Sequence, residues 1–311
     1  MSKYLVTGGA GFIGSSIVEE LVKLGQDVVV LDNLSEGKIE NIEPFLKKIT
    51  FIEGDIRSDK DLRKAFVGID YVLHQAALRS VPKSMTMPLE YNDVNVTGTL
   101  NVLKNAADRK VKKFVFASSS SVYGDTEKFP EMETDLPDPI SPYAASKLLG
   151  EWYCKLFSNI FGLETVSLRY FNVFGPRQSL ENQYAVLIPK FATCILNNEN
   201  PPIFGNGKQE RDFTFIQNVV NANIKAATTT GIKGEIFNVA CGHSITVLDV
   251  VAGINKILGK SIEPVFLPKR EGDVFKTDAD ITKLKERLGL NDFVSFEKGL
   301  EITVNWFKER Q

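Results

Sequence analysis

The sequence predicts a doubly wound α/β fold, a parallel sheet with helices on both faces and a smaller α/β lobe laid against it. Three observations carry this prediction. Short apolar, β-branched runs alternate with helical patterns through the first half of the chain, the order that builds parallel sheets. A glycine-rich turn separates the first run from the first helix. The chain has 311 residues, which at roughly 150 per domain suggests about two units.

Lys3–Thr7 reads as the first strand, and Gly11–Leu24 as a helix with Ile13, Ile17, Leu21 and Leu24 on one face. Asp27–Leu31 is too apolar for a half-exposed strand, so both of its faces should be covered. Further strands are predicted at Ile49–Ile52, Tyr71–His74, Lys113–Ala117 and Glu164–Arg169. Helices over Asp59–Phe66, Pro88–Asp108 and Pro142–Phe161 lie between them. After about Tyr170 the spacing loosens, and Asn197–Gly207 and Leu267–Asp273 are rich in Pro, Gly and charge. Helices follow at Tyr184–Leu196, Asn218–Thr229, Thr246–Leu258 and Phe296–Glu309, with a strand at Ile236–Val239.

Composition narrows the function. Lys plus Arg total 37 against 39 Asp plus Glu, a net charge of −2 without the basic surplus of a nucleic-acid binder. Only two histidines occur, His74 and His243, which argues against a histidine-built metal centre; no metal is expected. Cys154, Cys194 and Cys241 are odd in number and widely spaced, and read as reduced, buried thiols. With no apolar run of about 18 residues and no leader pattern, the expectation is a soluble cytoplasmic protein.

Thr7–Gly14 (TGGAGFIG) contains Gly9, Gly11 and Gly14 as G-x-G-x-x-G, with Gly8 giving an overlapping G-x-x-G-x-x-G. It follows a predicted strand and opens a predicted helix, the context in which such a loop seats a pyrophosphate on a helix N-terminus. Gly8, Gly11, Phe12, Ile13 and Gly14 are therefore candidate dinucleotide contacts in a Rossmann-type domain. Asp32 closes the second strand, 18 positions after Gly14. A carboxylate there accepts from ribose hydroxyls and repels a 2′-phosphate, favouring NAD over NADP. Asp55 stands where it could meet the adenine edge, or equally serve as a turn residue.

Tyr143 and Lys147 form Tyr-x-x-x-Lys just inside a helix that Pro142 starts well. Four residues apart puts both on one face, where an ammonium would lower the phenol pKa towards working pH. That supplies a proton acceptor without histidine. Upstream, Ser118 to Ser121 stand beyond the carboxyl end of the fifth strand, where open sheets bind ligands.

Together these residues resemble the extended short-chain dehydrogenase/reductase family, and within it the UDP-glucose and UDP-N-acetylglucosamine 4-epimerases. The resemblance runs through TGGAGFIG, Asp32-Asn33, GDI at Gly54–Ile56, HQAA at His74–Ala77, SVPKSMTMP, NVTGTLNVL, SSSSVYG, LRYFNVFGPRQ, ERDFTFI and REGD. It implies that Tyr143 takes the proton of a sugar 4-hydroxyl while C4 yields hydride to NAD, and that hydride returns to the opposite face of a 4-keto sugar. Lys147 would hold the nicotinamide ribose. Ser119 best matches the family's Ser/Thr, with Ser120 on the same turn. Asn33, Asp55, Ile56 and Ala76 join the cofactor contacts. Ser80, Asn172, Gln178, Arg211, Arg270, Asp273 and Thr277 join the substrate contacts, the two arginines facing the diphosphate.

Thr277 falls where the family sets the size of the sugar pocket, and a small residue leaves room for a 2-acetamido group. Gln178 and YAVLIPKF (Tyr184–Phe191) look like the UDP-N-acetylglucosamine branch. The serines before Val122 replace the acids of related dehydratases and decarboxylases. A glucose/galactose-restricted or UDP-uronate 4-epimerase is the alternative, followed by a dehydratase or decarboxylase and by a non-catalytic NAD-binding protein. Residues 1–170 would form the NAD domain and 171–311 the sugar-nucleotide domain, partly interleaved. The family also implies a homodimer through a four-helix interface of Pro88–Asp108 and Pro142–Phe161. Two positions depart from or vary within the pattern: Gln217 replaces an Asp, and Arg79 is either a sugar contact or a solvent-facing charge.

Overall fold

Val28, Val29, Val30 and Leu31 are all buried, as a strand covered on both faces requires. The computed structural model describes residues 1–179, 187–269 and 274–310. The first half alternates β1 (Lys3–Thr7), α1 (Phe12–Lys23), β2 (Asp27–Asp32), β3 (Thr50–Glu53), α2 (Asp59–Ala65) and β4 (Tyr71–His74). It continues through α3 (Val81–Thr86), α4 (Pro88–Asn92), α5 (Thr99–Asp108), β5 (Lys113–Ser119), α6 (Pro142–Phe161) and β6 (Thr165–Tyr170).

The second half holds β7 (Val173–Phe174), α7 (Leu187–Leu196), β8 (Pro202–Phe204), β9 (Glu210–Arg211), β10 (Thr214–Phe215), α8 (Ile216–Thr228) and β11 (Glu235–Val239). It ends with β12 (Ile245–Thr246), α9 (Val247–Leu258), β13 (Val265–Leu267), α10 (Thr282–Leu288) and α11 (Phe296–Lys308).

Among the described residues, seven parallel strands form one sheet in the order β11-β6-β5-β4-β1-β2-β3. The order reverses between β1 and β4, which opens a crevice at their carboxyl ends. Helices α2, α5 and α6 cover one face over Leu5, Val29, Val72, Phe114 and Phe116; α1 and α8 cover the other over Val6, Val30, Leu73 and Val115. The chain leaves the sheet after β6, and α8 and β11 bring it back.

The expected single helix over Pro88–Asp108 is instead α4 and α5 joined by a π-helical turn at Asp93–Gly98. Gly98 admits the Ile56 side chain, whose Cδ1 lies 2.5 Å from where a Cβ would sit. Such one-turn π segments are frequent at functional sites.

The second lobe is built on an aromatic cluster in which Phe174 meets Phe213, Phe215 and Phe296 with ring centres 5.6–6.2 Å apart. The stretch after β5 is pinned to this lobe. Glu131 donates its amide to the Asp278 carbonyl at 2.7 Å, and its carbonyl accepts from the Asp280 amide at 2.9 Å. Asp212, fully buried, accepts from the amides of Cys241 and Gly242 at 2.9 Å each. Cys154 and Cys194 are buried and Cys241 is half-buried.

Candidate active site at the carboxyl ends of the strands

The glycine loop joins β1 to α1 with a backbone that side chains would block. Gly8 has φ +68°, and a Cβ on it would sit 2.6 Å from the Ala76 nitrogen. A Cβ on Gly14 would lie 2.1 Å from the Gly8 carbonyl oxygen. Helix α1 starts at Phe12 and Ile13 with no side-chain cap and no acidic residue in its first turn, so its first N–H groups suit an anion. This cradle, which a Cβ would fill, fits the pyrophosphate of NAD.

Asp32 braces the loop from β2. One carboxylate oxygen accepts from the Ala10 amide at 2.9 Å and the other from the Leu34 amide at 2.8 Å. Burial raises its pKa while these two bonds oppose the rise. Each oxygen keeps a further lone pair for a ribose hydroxyl. Asn33 donates to Asp55 at 3.0 Å. Asp55 accepts from the Arg57 amide at 2.8 Å and pairs with the Arg57 guanidinium at 2.7 Å, which holds its pKa at about 2. The Ile56 side chain is buried against Gly98.

Helix α6 reads strand β5 along one face, in steps of four residues. The Ser119 hydroxyl faces the Tyr143 phenol and acts to lower its pKa. Lys147, 5% exposed, donates to the Ala117 carbonyl at 2.9 Å. Glu151 accepts from the Ser118 hydroxyl at 2.5 Å. Ser119 in turn accepts from the Ser121 hydroxyl at 2.9 Å, so two hydroxyls line up behind the phenol. Of the serine run it is Ser119 that meets Tyr143, while Ser120 opens the following turn.

The electrostatics differ from the expectation in one respect. Burial raises the Tyr143 pKa, and the influences that lower it are the Ser119 hydrogen bond and the Arg79 charge. Lys147 is itself pushed down to about 8 by burial, which weakens its hold on a proton. Its ammonium is 5.8 Å from the Tyr143 ring centre and points to Ala117. In this arrangement Ser119 and Arg79 act on the phenol beside the lysine.

The other predicted residues divide. Ser80 is 2% exposed and its hydroxyl caps α3 by accepting from the Lys83 amide. Asn172 and Thr277 come together: the Asn172 amide nitrogen donates to the Thr277 hydroxyl at 2.9 Å and to the Asp212 carbonyl at 3.1 Å. Arg211 donates to the carbonyls of Phe275 at 3.0 Å and Val274 at 2.5 Å. Gln178 is 8% exposed and donates to the Val173 carbonyl at 3.0 Å. Arg270, Asp273 and Tyr184 lie outside the described residues. Gln217 donates to Asn221 at 3.0 Å.

Sequence reasoning missed two contributors. Asn95, buried in the π turn, holds the loop after β4 from both sides. Its side-chain oxygen accepts from the Leu78 amide at 2.8 Å, and its side-chain nitrogen donates to the Leu78 carbonyl at 2.9 Å and to Ser146 on α6 at 3.1 Å. The signal was present as the first residue of NVTGTLNVL, but nothing local marks a π turn. The second is the fully buried Glu151–Arg169 pair beneath the serines, with contacts of 2.8 and 2.7 Å.

A family model described as the NAD dependent epimerase/dehydratase family matches residues 4–240. The chain belongs to that family. Within it, the chain is 40% identical to a putative UDP-glucose 4-epimerase of Methanocaldococcus jannaschii, covering 98% of each chain. It is also similar to the solved structure of a UDP-N-acetylglucosamine 4-epimerase from Methanobrevibacter ruminantium in complex with UDP-N-acetylmuramic acid. There the TM-score is 0.95 and the identity 41%, over 100% of this chain and 99% of that one. A UDP-glucuronic acid 4-epimerase from Bacillus cereus, solved with UDP-glucuronic acid and NAD, matches at TM-score 0.91 and 34% identity over 99% and 100% of the two chains. NAD is the cofactor of this family member. Among the described residues, no helix is long and apolar enough to cross a membrane.

Proposed function

We propose that this chain, an NAD-dependent UDP-sugar 4-epimerase, interconverts UDP-N-acetylglucosamine and UDP-N-acetylgalactosamine. The observation that carries the epimerase reading is the Tyr143–Lys147 pair on one face of α6, set against the carboxyl end of β5 where Lys147 meets Ala117 and Ser119 acts on the phenol. Tyr143 accepts the proton of the sugar 4-hydroxyl and later returns it, and Ser119 steadies the charged phenol. Bound NAD supplies a reversible hydride acceptor for C4 of the sugar. Lys147, with donors beyond the one on Ala117, holds the nicotinamide ribose. Gly8, Gly11, Phe12, Ile13 and Gly14 hold the pyrophosphate, and Asp32 the adenosine ribose. Asn172, Arg211 and Arg270 serve the uridine diphosphate; arginine offers forked donors to phosphate oxygens.

Thr277 supports an acetamido sugar, since its short side chain lies buried against Asn172 and Asp212 and adds no bulk to the site. The similarity to the M. ruminantium enzyme supports the same substrate. A serine, not an acid, precedes Val122, which favours epimerisation over loss of water. One observation favours a UDP-uronate instead: the positive charge of Arg79 acts on the Tyr143 phenol, and a sugar carboxylate would pair with it. Incubation with UDP-N-acetylglucosamine, UDP-glucose and UDP-glucuronate, with anomeric signals followed by NMR, decides. UDP-N-acetylgalactosamine is the expected product, and conversion of UDP-glucuronate alone would replace this substrate with the uronate.

The protein acts as a homodimer in this reading. Trp152, Leu156 and Ile160 recur every four residues along α6 and are 56%, 47% and 68% exposed, and Leu89 on α4 is 85% exposed. A contiguous apolar stripe of this kind marks an interface.

A further inference from the structure

His74 is the last residue of β4, 1% exposed, with its ring stacked near Phe114 and Phe116. It touches the glycine loop on one side and the π turn on the other. Its Nδ1 lies 2.6 Å from the Thr7 hydroxyl, and its Nε2 lies 2.9 Å from the Thr99 hydroxyl. The direction of these bonds follows from Thr99. That hydroxyl donates its one proton to the Asn95 carbonyl at 2.6 Å, so it can only accept from His74. Nε2 therefore carries the ring proton, and Nδ1 accepts from Thr7.

Asn95 then bridges through its own covalent frame, its backbone carbonyl taking the Thr99 proton and its side-chain amide acting as a separate donor. Asn95 donates from its side chain to Ser146 at 3.1 Å, and Ser146 donates to the Tyr143 carbonyl at 2.7 Å. Every step is buried or half-buried, and each hydroxyl proton is used once. The path runs from Thr7, beside the cofactor loop, to the first turn of the helix that carries the catalytic phenol.

We propose that His74 is a positioning residue for Tyr143, fixing the first turn of α6 relative to the glycine loop through Thr99, Asn95 and Ser146. The imidazole does no proton chemistry in this role. Burial pushes its pKa down to about 3, with the nearby Lys147 charge acting in the same direction, so it stays neutral. A neutral ring with one donor and one acceptor is what this path needs; a carboxylate in its place could not donate to Thr99. Because the chain ends on a backbone carbonyl, its effect is to set the distance from Tyr143 to the sugar and the nicotinamide. A reacting distance matters more to turnover than to binding.

This proposal rests on the epimerase reading for its kinetic arm and is independent of it for its spectroscopic arm. With ring-¹⁵N-labelled histidine, the full-length protein shows two imidazoles, because only His74 and His243 exist. His74 should hold the Nε2–H form unchanged from pH 5 to 8; a ring that protonates with a midpoint near 6 would overturn the chain. In the kinetic arm, Thr99→Val and Ser146→Ala should each lower kcat about tenfold with KM for the sugar nucleotide within about twofold of wild type. Thr99→Ser, which restores the hydroxyl, should recover most of the rate. The double variant should be no slower than the slower single, because links of one chain are not additive. Multiplied losses, or KM effects with kcat intact, would reject the proposal. A wild type that turns over no UDP-sugar sinks the epimerase reading while leaving the NMR result to decide on His74.

Discussion

Lys147 donates to the Ala117 carbonyl at 2.9 Å while its nitrogen stands 5.8 Å from the centre of the Tyr143 ring. The lysine thus anchors the helix to the strand, while Ser119 acts on the phenol. Its buried ammonium has a pKa near 8 against an ordinary 10.5. Between those values the unfolded chain binds the extra proton, so stability rises with pH across that window. In Lys147→Met this rise is absent. Urea unfolding of both proteins from pH 7 to 10.5 should show the wild type gaining on the variant by a few kcal/mol, at about 1.4 kcal/mol per pH unit. A constant difference would refute the buried-charge account.

Tyr143→Phe should reduce kcat by about 10²–10⁴-fold, the usual worth of a positioned acid–base group. Only a hydroxyl is lost from a half-buried ring, so the melting temperature should change little. Turnover that survives the change would remove Tyr143 from the reaction.

Ser119→Ala addresses the tuning. The Ser119 hydrogen bond lowers a phenol pKa that burial has raised, so its removal raises that pKa further. The acid limb of the kcat profile should move to higher pH in the variant. A shift to lower pH, or none, would return the tuning role to Lys147.

Glu131 is 2% exposed, and burial together with the carboxylates of Asp212, Asp278 and Asp135 raises its pKa to about 7 from 4.5. A raised carboxyl pKa stabilises the fold fully below the unfolded value, and the contribution is lost as pH rises through the folded one. Wild-type stability should therefore carry a falling component between about pH 4.5 and pH 7, absent in Glu131→Gln. Denaturant titrations at pH 4.5, 5.5, 6.5 and 7.5 would expose it, and parallel curves for the two proteins would count against it.

Trp152→Glu combined with Leu156→Glu puts charge on the exposed stripe of α6. Light scattering at micromolar concentration should give a dimer for the wild type and a monomer for the variant. A wild-type monomer would reject the interface.

The fold was legible because its signals are local and periodic. Lys3–Thr7, Tyr71–His74 and Pro142–Phe161 stand where the pattern puts them, to the residue. The π turn at Asp93–Gly98, with Ile56 packed over Gly98, was not legible, since no local pattern marks such a turn. Within the site, the glycine loop and the Tyr–Lys pair announced themselves by spacing. What spacing could not give was direction: Lys147 turns to Ala117, Ser80 turns to cap α3, and Asp55 turns to Arg57. The links of Asn95 and His74 join segments 17 to 67 positions apart, and no one-dimensional pattern records them.

The return of the chain to the sheet through α8 and β11 bears on how the protein can be divided. Strand β11 pairs with β6 over five residues, Glu235–Val239 against Val166–Tyr170. Truncation at residue 170 would strip that partner away and leave the fully buried β6 as a bare edge, a template for aggregation. It would also remove α8 from above β4 and β5. Neither piece is a portable module, and swapping the substrate lobe between relatives requires crossover points on both sides of residues 216–239.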